Sequence, residues 1–193
     1  MAIPILGSMK MLQNKKQDKK PMFSAKDIAY IGIMIALVEA SKFALSSLPN
    51  IELTSFWLIM FTLYYGRKTA IIVPVLILVE GAVYGVNTWW IMYLYIWPLL
   101  VLITWIFRKT DSAIFWAIVS GIFGLCFGGL CSLTYLGMGI VTEGFKSGAN
   151  TAFSFWISGL YWDMIHCVGN FVLMLVLYKP VGRLMKREFL RIK

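Results

Sequence analysis

The segment WISGLYWDMIHCVGNFVLMLVLY, residues Trp156–Tyr178, is long enough and apolar enough to cross a bilayer as a helix. It carries Asp163, His166 and Asn170 at positions i, i+3 and i+7, which share one stripe of a helix. A charged side chain facing lipid costs about 3 kcal/mol. The stripe is therefore predicted to face protein, water or a ligand, and its three residues are candidate binding residues.

The composition indicates an integral membrane protein built of helices. The 193 residues are 60% hydrophobic and 14% charged, whereas soluble domains carry about 25% charged residues. The mean hydropathy is +0.77, and the apolar runs lack the strict alternation of barrel strands. The net charge of +9 is concentrated at the ends of these runs, where basic residues meet lipid head groups. We therefore predict contact with lipid and no nucleic-acid binding.

Six spans are predicted, within residues 27–47, 52–65, 69–86, 88–107, 112–136 and 153–178. Residues 1–26 are assigned to a basic N-terminal tail, residues 27–180 to the transmembrane domain and residues 181–193 to a basic C-terminal tail. With both termini in the cytoplasm, only Lys42 and Lys146 of the 18 basic residues lie outside. Because basic loops stay in the cytoplasm, the prediction is an all-α, multi-pass protein of the plasma membrane with both termini inside.

On this topology the ionisable groups of the spans lie toward the outer side, which predicts a polar cavity that opens outward and ends inside the bilayer. Glu39 and Lys42, at i and i+3, either neutralise one another or bind a polar edge of a ligand. Glu80, Tyr84 and Asn87 form a second stripe. Trp and Tyr are more frequent at the outer ends, which is typical of an interfacial belt or of an aromatic pocket for a flat ligand. The candidate substrate-binding residues are Asp163, His166, Asn170, Glu39, Lys42, Glu80, Tyr84, Asn87, Trp89, Trp90 and Trp162.

Two ridges of small residues are predicted to let other helices approach closely. The first lies in span one and the second in span five: Ala29, Gly32, Ala36 and Ala40, and then Ala117, Gly121, Gly124 and Gly128. One ridge is expected to pack inside the bundle and the other against a partner. Residues 137–152, which are rich in glycine, are predicted to form an outer loop, either a lid over the cavity or a slack connector.

Catalytic and metal chemistry have no sequence signal. The string Gly66–Thr69 lacks the upstream glycine of a phosphate-binding loop. Ser158 and His166 lie on one helix about 12 Å apart along its axis, which disfavours a serine–histidine dyad. The three cysteines have no zinc-site spacing and are interpreted as small apolar side chains. No catalytic residue and no metal ligand is predicted, and the chain is not expected to be an enzyme.

Three segments together carry a family resemblance: the span-one ridge, the outer turn LPNIEL at residues 48–53, and the run WDMIHCVGN at residues 162–170. Over roughly residues 24–180 the chain resembles the S components of energy-coupling factor (ECF) transporters, six-span proteins that capture a vitamin or related micronutrient. The ridge is similar to the family's Ala-xxx-Ala docking face, although Gly32 departs from that pattern.

The resemblance implies partners and a mode of action. A transmembrane coupling subunit and two cytoplasmic ATPases would join this chain, and ATP with magnesium would be used by those partners while this chain binds no cofactor. The S component would bind substrate from outside and topple in the membrane to release it inside. Within the family the sequence looks most like the cobalamin and corrinoid group, with riboflavin or a queuosine precursor as alternatives. An ion-coupled carrier without ATPase partners and a non-transporting scaffold are the rival hypotheses.

Overall fold

The computed structural model describes residues 24–192, with side chains for residues 24–187. Residues 1–23, most of the predicted N-terminal tail, lie outside the described part. The described chain contains six α-helices, and the structure is 88% helical without strands, which confirms the all-α prediction. The helices are α1 (Ala25–Ala44), α2 (Thr54–Tyr65), α3 (Thr69–Tyr84), α4 (Thr88–Ile106), α5 (Ala113–Glu143) and α6 (Phe145–Ile192).

Each helix falls on one of the six predicted segments, but the lengths differ. Within the described residues, three helices are long and apolar enough to cross a membrane: α4, α5 and the Phe145–Arg187 part of α6. At 1.5 Å per residue, α2 and α3 are only about 18 and 24 Å long, less than the ~30 Å hydrocarbon core. Three candidate spans support the assignment to a membrane.

The chain divides into two compact units, residues 1–33 and 34–193. In the described part of the first unit, Ser24 caps α1. The Ser24 N–H and hydroxyl donate to Asp27 Oδ2 at 3.0 and 2.9 Å, and the Asp27 N–H donates to Ser24 Oγ at 3.2 Å. This reciprocal capping satisfies N–H groups that have no partner within the helix and fixes where α1 begins.

In the second unit, α2 is the most enclosed helix. Eight of its 12 residues are buried, and it packs against α4 and α6. Its sequence, TSFWLIMFTLYY, is apolar on every side, which is the pattern of a helix surrounded by other helices. Thr62 satisfies its hydroxyl by donating to the Leu58 carbonyl at 2.7 Å, whereas the buried Ser55 hydroxyl has no hydrogen-bond partner among the described residues.

The span-five ridge packs inside the bundle, against α6. Gly121, Gly124 and Gly128 are buried. A Cβ on Gly124 would lie 2.9 Å from the carbonyl carbon and oxygen of His166, and a Cβ on Gly128 would lie 2.3 Å from Asp163 Oδ2. Side chains at these positions would hold the helices apart, so the glycines set the close approach of α5 to α6.

The predicted loop over residues 137–152 is wrong. α5 continues to Glu143 and α6 starts at Phe145, so only Gly144 separates them, with a φ of 93°. A Cβ on Gly139 would lie 2.4 Å from the Gly148 Cα. The glycines that suggested a flexible loop instead allow the two helix backbones to cross closely, and there is no long lid at this connection.

Aromatic and basic residues are in contact near the C-terminal end of α4. The Arg108 guanidinium lies 3.7 Å from the Trp105 ring centroid and that of Arg67 lies 5.9 Å from it. The Tyr178 hydroxyl donates to Asp111 Oδ1 at 3.0 Å. α6 continues as a helix to Ile192 through the residues assigned to the basic C-terminal tail, whose lysines, arginines and leucines are good helix formers.

Candidate functional site

A cavity of about 700 Å³ brings together five of the predicted binding residues, which come from four helices. They are Lys42, Glu80, Tyr84, Trp89 and His166. The connection between α1 and α2 supplies much of the remaining wall, and Phe43, Tyr93 and Phe127 complete it. The volume is within the range of about 300–1,000 Å³ that is usual for small-molecule sites.

A buried ion pair lies in the cavity wall. The Lys42 ammonium donates to Glu80 Oε1, and the Glu80 side chain is only 1% exposed. The predicted pairing of Lys42 with Glu39 is therefore corrected: Glu39 Oε2 instead accepts from the Tyr84 hydroxyl at 3.3 Å. The Lys42 side chain extends from α1 to Glu80 on α3. Without this partner the Glu80 carboxylate would be buried and unpaired, which is strongly destabilising.

His166 faces Glu52 across the cavity. The distance from His166 Nε2 to Glu52 Oε1 is 3.7 Å, too long for a hydrogen bond. Glu52 Oε2 accepts from the Thr54 hydroxyl at 3.1 Å. Phe127 packs edge to face against the imidazole, with centroids 4.9 Å apart. His166 Nε2 is buried and has no hydrogen-bond partner among the described residues.

Aromatic rings pack behind one part of the cavity wall. Tyr93 and Phe127 line the cavity, and Trp97 packs behind both, at centroid distances of 5.1 and 5.6 Å. Phe123 lies 6.4 Å from Trp97, and both are buried. These rings form an apolar layer behind the cavity wall.

The cavity and the basic residues lie at opposite ends of the bundle. Trp89 in the cavity wall is close to the start of α4, and Trp105, which contacts Arg67 and Arg108, is close to its end. The two tryptophans are about 24 Å apart along the helix axis. The cavity and the contacts of Arg67 and Arg108 with Trp105 therefore lie toward opposite ends of α4.

Two members of the α6 stripe hold helices together and do not line the cavity. Asp163 Oδ1 accepts from the Gly128 N–H at 2.9 Å, and the Asn170 amide donates to the Ser120 carbonyl at 3.3 Å. Both side chains are buried. The stripe thus faces protein over most of its length, and only His166 reaches the cavity.

The other predicted residues also lie outside the cavity wall. The Trp90 indole donates to the Ile77 carbonyl at 2.7 Å and fixes α4 to α3. The Asn87 side chain caps α4 by accepting the Trp89 N–H at 3.0 Å. Trp162 is 43% exposed and packs edge to face against Tyr161.

The cavity residues of the α1–α2 connection, within residues 45–52, were not among the predicted binding residues, and neither were Tyr93 and Phe127. Part of the signal was present: Pro49 and Asn50 mark a turn, and Asn50 has a φ of 56°, a conformation that asparagine tolerates better than most residues. Tyr93 follows Trp89 by four residues and so shares its helix face. Glu52 lies in the LPNIEL turn at residues 48–53, but nothing in its spacing connected it to His166.

Comparisons with known protein families, with curated proteins and with solved structures found no match to this chain. The function is therefore argued from the cavity and from the three sequence segments that carry the family resemblance.

Proposed function

We propose that this chain is the substrate-capture subunit of an ATP-driven vitamin importer of the energy-coupling factor type. It would cross the plasma membrane six times with both termini in the cytoplasm, and it would bind its substrate from outside. The observation that carries the proposal is the cavity, which joins buried ionisable and aromatic side chains from helices that are otherwise apolar. Ionisable groups within membrane helices are costly, which favours a functional role for them.

The apolar layer behind the cavity wall favours capture over conduction. A channel or simple carrier path needs polar groups on both sides of the binding site, whereas Trp97 and Phe123 are buried apolar side chains behind this one. A protein of this shape would hold its substrate until a larger movement exposes the cavity to the cytoplasm. ATPase partners that bind and hydrolyse ATP would supply the energy for that movement.

The first helix supplies a surface for the proposed coupling subunit. All four ridge residues, Ala29, Gly32, Ala36 and Ala40, are exposed, in contrast to the buried ridge of α5. Small side chains let a partner helix approach closely in the membrane. The proposed complex contains one transmembrane coupling subunit and two cytoplasmic ATPases, as the family resemblance implies.

The proposed substrate is a vitamin or related micronutrient. The sequence resemblance puts cobalamin or another corrinoid first, while riboflavin and a queuosine precursor are flat molecules that also suit aromatic walls. A thermal-unfolding panel of the purified chain with these compounds tests binding. At a ligand concentration of 100 times Kd, binding raises the free energy of unfolding by about 2.7 kcal/mol.

Co-expression with coupling subunits then tests the transport role. We expect a stable complex and uptake that needs ATP hydrolysis. Uptake driven by a proton or sodium gradient without partners would establish an ion-coupled carrier instead. No complex, no uptake and no thermal shift with any vitamin would overturn the proposal in favour of a scaffold.

Substitution Ala36→Leu is expected to reduce recovery of the complex at least about tenfold while leaving ligand binding by the isolated chain unchanged. The added side chain would separate α1 from a closely packed partner helix. The measurement is co-purification with the coupling subunit, alongside a binding isotherm. Ala82→Leu makes the same change at an exposed site on α3 and should leave the complex intact. Equal losses of binding and assembly in Ala36→Leu would contradict a docking role.

A further inference from the structure

We infer that the cavity selects a planar heteroaromatic ligand that carries a protonated amine, with its N–H groups directed at Glu80 and Glu52. The inference rests on the proposed function, because it takes this cavity as the substrate site. It narrows the substrate class from vitamins in general to flat, nitrogen-rich cations, and so departs from the corrinoid that the sequence resemblance puts first.

Two carboxylate oxygens of the cavity wall have no hydrogen-bond partner among the described residues. Glu80 Oε1 is occupied by Lys42, but Oε2 is buried without a hydrogen-bond partner among the described residues. Glu52 Oε1 has only His166 Nε2 nearby, at 3.7 Å. A buried acceptor left unpaired costs about 1–3 kcal/mol, so a ligand that donates to these oxygens gains that stabilisation on binding.

The described residues of the cavity wall carry more negative than positive charge. Among the described residues that line the cavity, the carboxylates are Glu52 and Glu80, and the one ammonium, that of Lys42, already pairs with Glu80. Glu39 adds a further carboxylate behind Tyr84, to which it is hydrogen-bonded. An anionic ligand would meet surplus negative charge, whereas a cation would complement it. Carboxylate vitamins are therefore excluded as preferred ligands.

The aromatic part of the cavity wall favours a flat ligand. Tyr84, Trp89, Tyr93 and Phe127 line the cavity, and flat rings bind well against such faces. The Lys42 ammonium lies 5.2 Å from the Tyr84 ring centroid and 5.6 Å from that of Tyr93, within the range of cation–π attraction. These rings already accept a cation, so a ligand that is both flat and cationic satisfies the wall and the carboxylates together.

Two probes that differ mainly in charge test the inference: aminomethyl-deazaguanine, which is a cation, and its neutral cyano analogue. Calorimetric titration of the purified full chain should show at least about tenfold tighter binding of the cation, the ratio expected for a charge-assisted hydrogen bond. Thiamine, whose cationic thiazolium carries no N–H, tests whether charge alone is enough, and riboflavin and cyanocobalamin serve as neutral probes.

The variants Glu80→Gln and Glu52→Gln test whether these two carboxylates cause the tighter binding of the cation. Each should weaken binding of the cation about tenfold or more and leave any binding of the neutral analogue unchanged. Glu52→Gln is included because it changes a half-buried residue outside the buried ion pair and so should fold normally. Glu143→Gln, at an exposed position on α5, is the matched control and should bind like the wild type.

The outcomes separate this inference from the proposed function. Tight binding of riboflavin or cyanocobalamin, with no preference for the cations, would overturn the inference while leaving a vitamin importer in place. Binding of the cations without any complex with a coupling subunit would uphold the inference and refute the importer. Failure of all cationic probes to bind, or equal affinity in both glutamine variants and the wild type, would also overturn it.

Discussion

Substitution Lys42→Met is expected to lower the free energy of unfolding by about 3 kcal/mol, because it leaves the Glu80 carboxylate buried without its partner. Glu80 is only 1% exposed, and Lys42 is its hydrogen-bonded cation. Since the lysine side chain is 18% exposed, water can replace it in part, which places the effect at the lower end for buried pairs. Reversible unfolding in detergent or bicelles measures the change.

A double variant separates loss of the pair from loss of lysine packing. Lys42→Met with Glu80→Leu removes both charges and should regain most of the stability, since apolar replacements of a buried pair are often neutral. Lys146→Met, at an exposed position at the start of α6, is the control. If Lys42→Met unfolds like the wild type, the ion pair does not stabilise the cavity wall.

Substitution Gly124→Ala is expected to destabilise the chain by about 1–3 kcal/mol and to weaken ligand binding as well. The new Cβ would lie 2.9 Å from the carbonyl carbon and oxygen of His166 and 3.0 Å from the Cys167 nitrogen. These are backbone atoms that cannot rotate away, so α6 must shift and carry His166 out of the cavity wall. Unfolding and ligand titration of the same preparation measure both effects.

Gly137 on the same helix provides the matched control. A Cβ there meets nothing within 4 Å, so Gly137→Ala should be neutral or stabilising by up to about 1 kcal/mol, because alanine favours the helix. A Gly124→Ala protein as stable as Gly137→Ala would show that α5 and α6 do not pack at the separation described here.

The sequence predicted the helices well because each one is a continuous apolar run with clear punctuation. It failed at residues 137–152, where glycines were interpreted as loop residues. Glycine is a poor helix former in isolation, but the close crossing at Gly139 and Gly148 compensates for that cost through packing. Composition alone does not show that two glycines nine residues apart face each other across a helical hairpin.

The site was predictable only in part, for a related physical reason. Helical spacing correctly grouped Asp163, His166 and Asn170 on one stripe, but it does not say what the stripe contacts, and only His166 faces the cavity. Lys42 and Glu80 were each candidates, yet their pairing spans 38 residues and depends on how α1 and α3 pack. Such contacts are properties of the tertiary structure and leave no local pattern.

We propose that the cavity opens to the outside of the cell, toward the end of α4 opposite the contacts of Arg67 and Arg108 with Trp105. Labelling of single cysteines in intact cells by a membrane-impermeant maleimide tests it, after Cys126, Cys131 and Cys167 are replaced by alanine. Ser46→Cys, in the cavity wall, should label from outside, and Lys109→Cys, which is exposed near the other end, should label only after permeabilisation. The reverse pattern, or equal labelling of both cysteines in intact cells, would contradict the account.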